Sequence, residues 1–195
     1  MGRRMRGALA AAVLVAAAAC ADSPLEVAIK ASDVEVVRAE LASASAGGKG
    51  LPQFAFEYAL WQLSPSEPRT TEILKMLLAH VPKGERAALV HSTVATNRGT
   101  KGRIYYAAPV EVAARRWSPD GVRVLLDNGL IAASDAVQGA LVDAAANGCD
   151  PVITMLLDAG ASANGPDSDN DTPLAMARRV NNQTTIALLQ ARGAR

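Results

Sequence analysis

Few side chains in this sequence have the types and spacing that chemistry requires. His80 and His91 are its two histidines, eleven positions apart, with no paired carboxylate or cysteine at metal-ligand spacing. Both stand among helix-forming residues, so packing or surface roles are expected of them. Gly47-Gly48-Lys49-Gly50 and Gly99-Thr100-Lys101-Gly102 lack the full spacing of a phosphate loop and the strand before it; they read as turns. Ser43 and Ser45 lack the G-x-S-x-G setting of a nucleophile elbow. Asp167-Ser168-Asp169-Asn170-Asp171 places acids at alternate positions, a pattern that can ligate calcium. An EF-hand loop opening at Asp167 needs Gly at its sixth position and Glu at its twelfth, where this chain has Thr172 and Arg178. The expectation is therefore no metal, no cofactor and no catalysis.

What remains is architecture. Half of the 195 residues are apolar, yet only 4% are aromatic, a profile that suits closely packed helices better than a β-sandwich. The formal charge of +1 includes Arg3, Arg4 and Arg6. Without them 20 basic residues fall to 17 against 19 acidic ones, a net charge of −2. No basic face of the kind nucleic acid requires is visible.

Those three arginines belong to an N-terminus that reads as an export signal. Residues 1–6 are basic, and residues 7–19 form an uncharged, Ala-rich run. At about 13 residues it is too short for a bilayer core that needs about 20. Leu14-Val15-Ala16-Ala17-Ala18-Ala19-Cys20 resembles the bacterial lipobox, although Ala17 stands where Leu is usual. That resemblance implies a signal peptide over 1–20 and lipid on Cys20, with the chain tethered to a membrane facing the periplasm. Ordinary cleavage after Ala21, with Ala19-Cys20-Ala21 as an A-x-A site, is the competing reading. The lipobox reading is preferred because cysteine is rare here and falls at the end of the apolar run. Cys149 is the other cysteine, so no internal disulfide is expected and the fold must stand on packing.

The sequence repeats itself. Leu141-Val142-Asp143-Ala144-Ala145 aligns with Leu174-Ala175-Met176-Ala177-Arg178 at an offset of 33, which also carries Ile153 onto Ile186, Leu156 onto Leu189 and Gly160 onto Gly193. An offset of 31 carries the pattern back to Val110, Ala113, Val122, Leu125 and Gly129. Leu25-Glu26-Val27-Ala28-Ile29, Phe56-Glu57-Tyr58-Ala59-Leu60 and Val110-Glu111-Val112-Ala113-Ala114 share an apolar-Glu-apolar-Ala-apolar core.

Thr172-Pro173-Leu174, then Ala177, Ile186-Ala187-Leu188-Leu189 and Gly193-Ala194, resemble the ankyrin repeat. Ser23-Pro24-Leu25 and Gly160-Ala161-Ser162-Ala163-Asn164 match other parts of the same unit. The resemblance implies an all-α ankyrin-repeat solenoid of stacked helix pairs with short β-turn connections. About five repeats are expected over 23–195, near 23–50, 54–84, 108–137, 139–168 and 172–195. Residues 82–107 break the rhythm as an irregular insertion, with a short helix expected over 85–94 followed by a polar glycine-rich loop. The physics is consistent: Ser23 and Thr172 can cap a helix, Pro suits its first turn, and glycine suits a left-handed end at 129, 160 and 193. Cys149 stands where this family commonly has a packing His, so a buried, inert thiol is expected.

Ankyrin proteins typically hold a partner protein along the concave side, which implies an interaction module working without cofactors. Carried over unit by unit, the partner-binding residues are Trp61, Tyr105, Arg115, Arg116, Asn147, Ser168, Asp169 and Arg179. Trp61, Tyr105, Arg115 and Arg116 form the best patch, since aromatic and Arg side chains are favoured anchors; a partner with an acidic, partly apolar surface is expected. The chain is expected to be a monomer outside that complex and to bind no nucleic acid. Two functions follow by analogy: an envelope immunity protein that neutralises a secreted antibacterial effector, or a periplasmic accessory protein supporting a stress-defence enzyme.

Overall fold

A computed structural model of the chain describes residues 22–47, 51, 54–96, 105–129 and 135–195. Its helices come in consecutive pairs: α1 (Pro24–Lys30) with α2 (Val34–Ala46), and α3 (Ala55–Gln62) with α4 (Pro68–His80). After an isolated helix α5 (Lys83–Val90) and two short strands, β1 (Val94–Thr96) and β2 (Tyr105–Ala107), the pairing resumes. It continues as α6 (Pro109–Arg115) with α7 (Pro119–Asp127), α8 (Asp135–Asn147) with α9 (Asp150–Asp158), and α10 (Pro173–Arg179) with α11 (Gln183–Ala191).

Local sequence explains these boundaries. Ser23 Oγ accepts the Glu26 N–H at 3.2 Å, and the Glu26 carboxylate accepts the Ser23 N–H at 2.7 Å, closing a capping box around Pro24. Thr172 caps α10 through the Ala175 N–H. Ser118, Asp33 and Asn182 likewise cap the second helices α7, α2 and α11. Between the helices of four pairs the backbone turns left-handed at one equivalent position, occupied by Ser32, Trp117, Gly148 and Asn181. After the second helices it does so at Gly129, Gly160 and Gly193, where the missing Cβ removes the steric penalty.

The pairs stack in two layers. The first helices contact one another in the order α1, α3, α6, α8, α10, and the second helices in the order α2, α4, α7, α9, α11. Ala28, Ala59, Ala113, Ala144 and Ala177 are all buried in the first layer, where a methyl group lets neighbouring helices approach closely. Larger side chains, among them Ile29, Leu60, Leu74, Leu125, Leu141, Ile153 and Leu174, fill the space between layers. Each contributes about 1.5–3 kcal/mol on burial. α8 opens at Asp135, ahead of the position 139 where the repeat arithmetic starts its unit. Gln138 in its first turn donates to the Ser162 and Gly165 carbonyls, tying the fourth pair to the turn that follows it.

The irregular centre differs in detail from the helix expected over 85–94. α5 ends at Val90, where Ser92 Oγ bonds back to the Leu89 carbonyl at 2.7 Å. Beyond it, β-branched Thr93, Val94 and Thr96 favour an extended chain, and β1 pairs antiparallel with β2 in the register Val94↔Ala107. Arg86 reaches the Ala79 and Val81 carbonyls, so this segment also finishes the end of α4. The glycine-rich loop at 97–103 and Cys20 lie outside the described residues. Among the described residues no helix is long and apolar enough to cross a membrane.

Candidate interaction groove

The aligned first helices α6, α8 and α10, with the turn before α10, enclose a groove of about 600 Å³. Glu111 and Arg115 enter it from α6, Asp135, Gly139 and Asp143 from α8, and Met176 and Arg179 from α10. The turn contributes Asp167, Ser168, Asp169 and Asp171. Val142, Ala107 and Ala108 give it a buried apolar floor.

Glu111 stands third in α6, where a carboxylate can fold back on the start of its own helix. It accepts the Ala108 N–H at 2.7 Å. Burial pushes its carboxyl above the usual range, countered in part by that hydrogen bond and by Arg115, while Asp143 and Asp167 push it up further. Arg115 Nε meets Asp143 Oδ2 at 2.7 Å, joining the third pair to the fourth. Arg179 meets Asp171 more loosely, at 3.5 Å. Asp167 Oδ1 accepts the N–H groups of Asp169 and Asp171. Its carboxylate therefore shapes the turn that the alternating acids had suggested for calcium. No group of three or more His, Cys, Asp or Glu among the described residues is placed to hold a metal ion.

The groove gathers four of the residues singled out from sequence: Arg115, Ser168, Asp169 and Arg179. Trp61, Arg116 and Asn147 do not line it. Trp61 packs edge-on against Tyr58, ring centroids 5.6 Å apart, and leans on the core. Arg116 Nε donates to the Leu63 carbonyl at 2.9 Å, holding the end of α3. Asn147 bonds the Asp143 carbonyl of its own helix. Tyr105 lies in β2 opposite Thr96, and nothing is described of its side chain.

Sequence reasoning missed Glu111, Asp143, Gly139 and Met176. The signal for Glu111 was present, since a Glu three positions after a helix cap folds back to it. Gly139 had no signal, because only the neighbouring helix gives it meaning. The remaining chemical candidates are structural: His80 Nδ1 sits 3.2 Å from Ser45 Oγ and His91 Nε2 3.2 Å from the Gly129 carbonyl oxygen. Cys149 is buried at the start of α9, and burial pushes its thiol up, away from reactivity.

Stacked helix pairs with a groove along the first-helix layer define a repeat solenoid. No family model and no curated protein matches the sequence. Among solved structures the chain is similar to the ankyrin repeat domain of Bcl-3, described as a unique member of the IkappaB protein family. The TM-score is 0.63 at 21% identity, over 89% of this chain and 73% of that one. The chain has the ankyrin-repeat fold.

Proposed function

We propose that this chain is a non-catalytic interaction module of the bacterial cell envelope that holds a partner protein in the groove between α6, α8 and α10. Its role is immunity: it neutralises a secreted antibacterial effector by occupying the effector's surface. The groove carries this reading, since it is concave, floored by apolar side chains and walled by polar ones. The export-like segment at 1–20 supports the envelope, and the small residues before Cys20 support a lipid anchor. Each buried CH₂ of such an anchor contributes about 0.8 kcal/mol.

A photo-crosslinking residue at Met176, on the groove wall, is expected to capture a secreted protein in the native envelope. Cells lacking this chain are expected to become sensitive to that protein. Undiminished resistance would remove the immunity role, and a captured stress-defence enzyme would favour the accessory role instead. Labelled palmitate is expected to enter the wild-type chain and not Cys20→Ser; no label in either would leave cleavage after Ala21.

A further inference from the structure

The groove's charge says what kind of segment it holds. Pairing Arg115 with Asp143 and Arg179 with Asp171 uses both guanidiniums of the lining. Among the described lining residues, Glu111, Asp135, Asp167 and Asp169 then face the groove with no ion pair of their own, Glu111 feeling Arg115 only at a distance. An acidic segment would be repelled by four carboxylates. An apolar one would strip their water and return nothing. This differs from the acidic, partly apolar partner expected from the patch of Trp61, Tyr105, Arg115 and Arg116, of which Arg115 alone lines the groove.

A second observation is steric and independent of charge. Gly139 lies inside α8, where glycine weakens a helix by about 1 kcal/mol relative to alanine. A Cβ built there would collide with Glu111 Oε1. The glycine thus leaves room for that carboxylate to lie along the groove wall. Beside it, Met176 presents apolar surface to the same space over the buried Val142. An aliphatic stem ending in a cation matches both surfaces together.

We propose that the groove receives an arginine or lysine side chain from a basic segment of the partner protein. Its stem lies on Met176 above the Val142 floor, and its charged head lies among Glu111, Asp135 and Asp169. The proposal rests on the reading that this groove binds a protein, and it names the chemistry of the bound segment.

The test is an NMR titration of the full chain with a hexa-arginine peptide, with a hexaglutamate peptide for comparison. Hexa-arginine is expected to shift the Gly139 amide and the Met176 methyl, and hexaglutamate to leave them in place. The triple change Glu111→Gln, Asp135→Asn, Asp169→Asn removes three partly exposed charge contacts, so affinity should fall about tenfold. Neutralising Glu35 and Glu72, which pair with Arg38 far along the chain, should leave affinity unchanged. Circular dichroism of the triple variant establishes that it is folded. Unchanged affinity in the folded triple variant, or shifts that avoid Gly139 and Met176, would overturn the proposal. A partner that still crosslinks at Met176 in that variant with full affinity would remove the cationic head and keep the groove. A partner that crosslinks at Trp61 and never at Met176 would remove the groove reading itself.

Discussion

Glu26 and Glu111 hold the same place in two repeats, third in the first helix, inside the same apolar-Glu-apolar-Ala pattern. Their surroundings give them different work. Glu26 is buried, and both its carboxylate oxygens are used: one accepts the Ser23 N–H and the other the Phe54 N–H at the head of the next pair. It closes the seam between the first and second pairs. Glu111 makes the equivalent bond to Ala108, but its next neighbour is α8, where Gly139 leaves the second oxygen beside the groove. One motif serves as a clasp at one end of the stack and as part of the groove wall further along. The lesson is that a repeat position acquires its role from the unit stacked on it.

The regions around the two glutamates differ as much. Next to Glu26 the first-helix layer carries Tyr58, with Lys30 Nζ 4.0 Å from its ring centre and Asp22 bonded to both. Phe54 and Trp61 flank that ring. Polar groups there are engaged by one another. Around Glu111 the described groove-lining carboxylates outnumber the two lining guanidiniums. The first region is internally satisfied, whereas the second has unspent electrostatic capacity.

The comparison breaks most severely if its frame is removed. Deleting residues 139–168 takes away the helix that covers α6 on one side and α10 on the other. The urea transition should lose its single cooperative step and shift to lower denaturant, because each pair depends on its neighbours. An equally stable, cooperative deletion chain would end the stacked-solenoid account.

Next in size is the clasp itself. Glu26→Ala leaves two part-buried backbone N–H groups without their acceptor, at about 1 kcal/mol for each lost hydrogen bond. A loss of about 2 kcal/mol is expected in denaturant unfolding. Glu111→Ala should cost less, since one hydrogen bond is lost at a partly open site. Equal losses would mean that the two glutamates do the same work.

Gly139 sharpens the contrast through a double-mutant cycle. Gly139→Ala in the wild type sets a better helix former against a displaced Glu111 carboxylate. In a Glu111→Ala background the collision is gone, and stabilisation of up to about 1 kcal/mol should emerge. Additive effects would show that the glycine and the glutamate are uncoupled.

The smallest effect is a pH dependence. The Glu111 carboxyl titrates above its ordinary value of 4.5 in the folded chain. Between the unfolded and folded values the native state binds the extra proton, so stability falls as pH rises through that window. Glu111→Gln should flatten this component of the stability profile, while Gln183→Glu on distant α11 should leave it in place. A profile unchanged by Glu111→Gln would mean that the carboxyl is not held up by burial.

Much of this molecule was legible in its sequence, for local reasons. Thr172-Pro173-Leu174 and Ser23-Pro24-Leu25 cap and start helices through contacts within one turn. The recurrent alanines mark close helix approach, and the 31- and 33-residue offsets set the period of the stack. Those features use neighbours close along the chain, so type and spacing suffice to read them. The short strands were not legible, because Val94 and Ala107 find each other only once the intervening chain turns back.

The residues expected from sequence to meet a partner divide along the same line. Arg115, Ser168, Asp169 and Arg179 follow from their register in the repeat, and all four reach the groove. Arg116, one position after Arg115, turns away to the Leu63 carbonyl because a helix rotates about 100° per residue. The sequence by itself determined a stack of capped helix pairs with an alanine-lined seam. Which lining carboxylates are left without an ion pair was set by stacking, because it depends on a guanidinium and a missing Cβ that face their partners across 28 positions of chain.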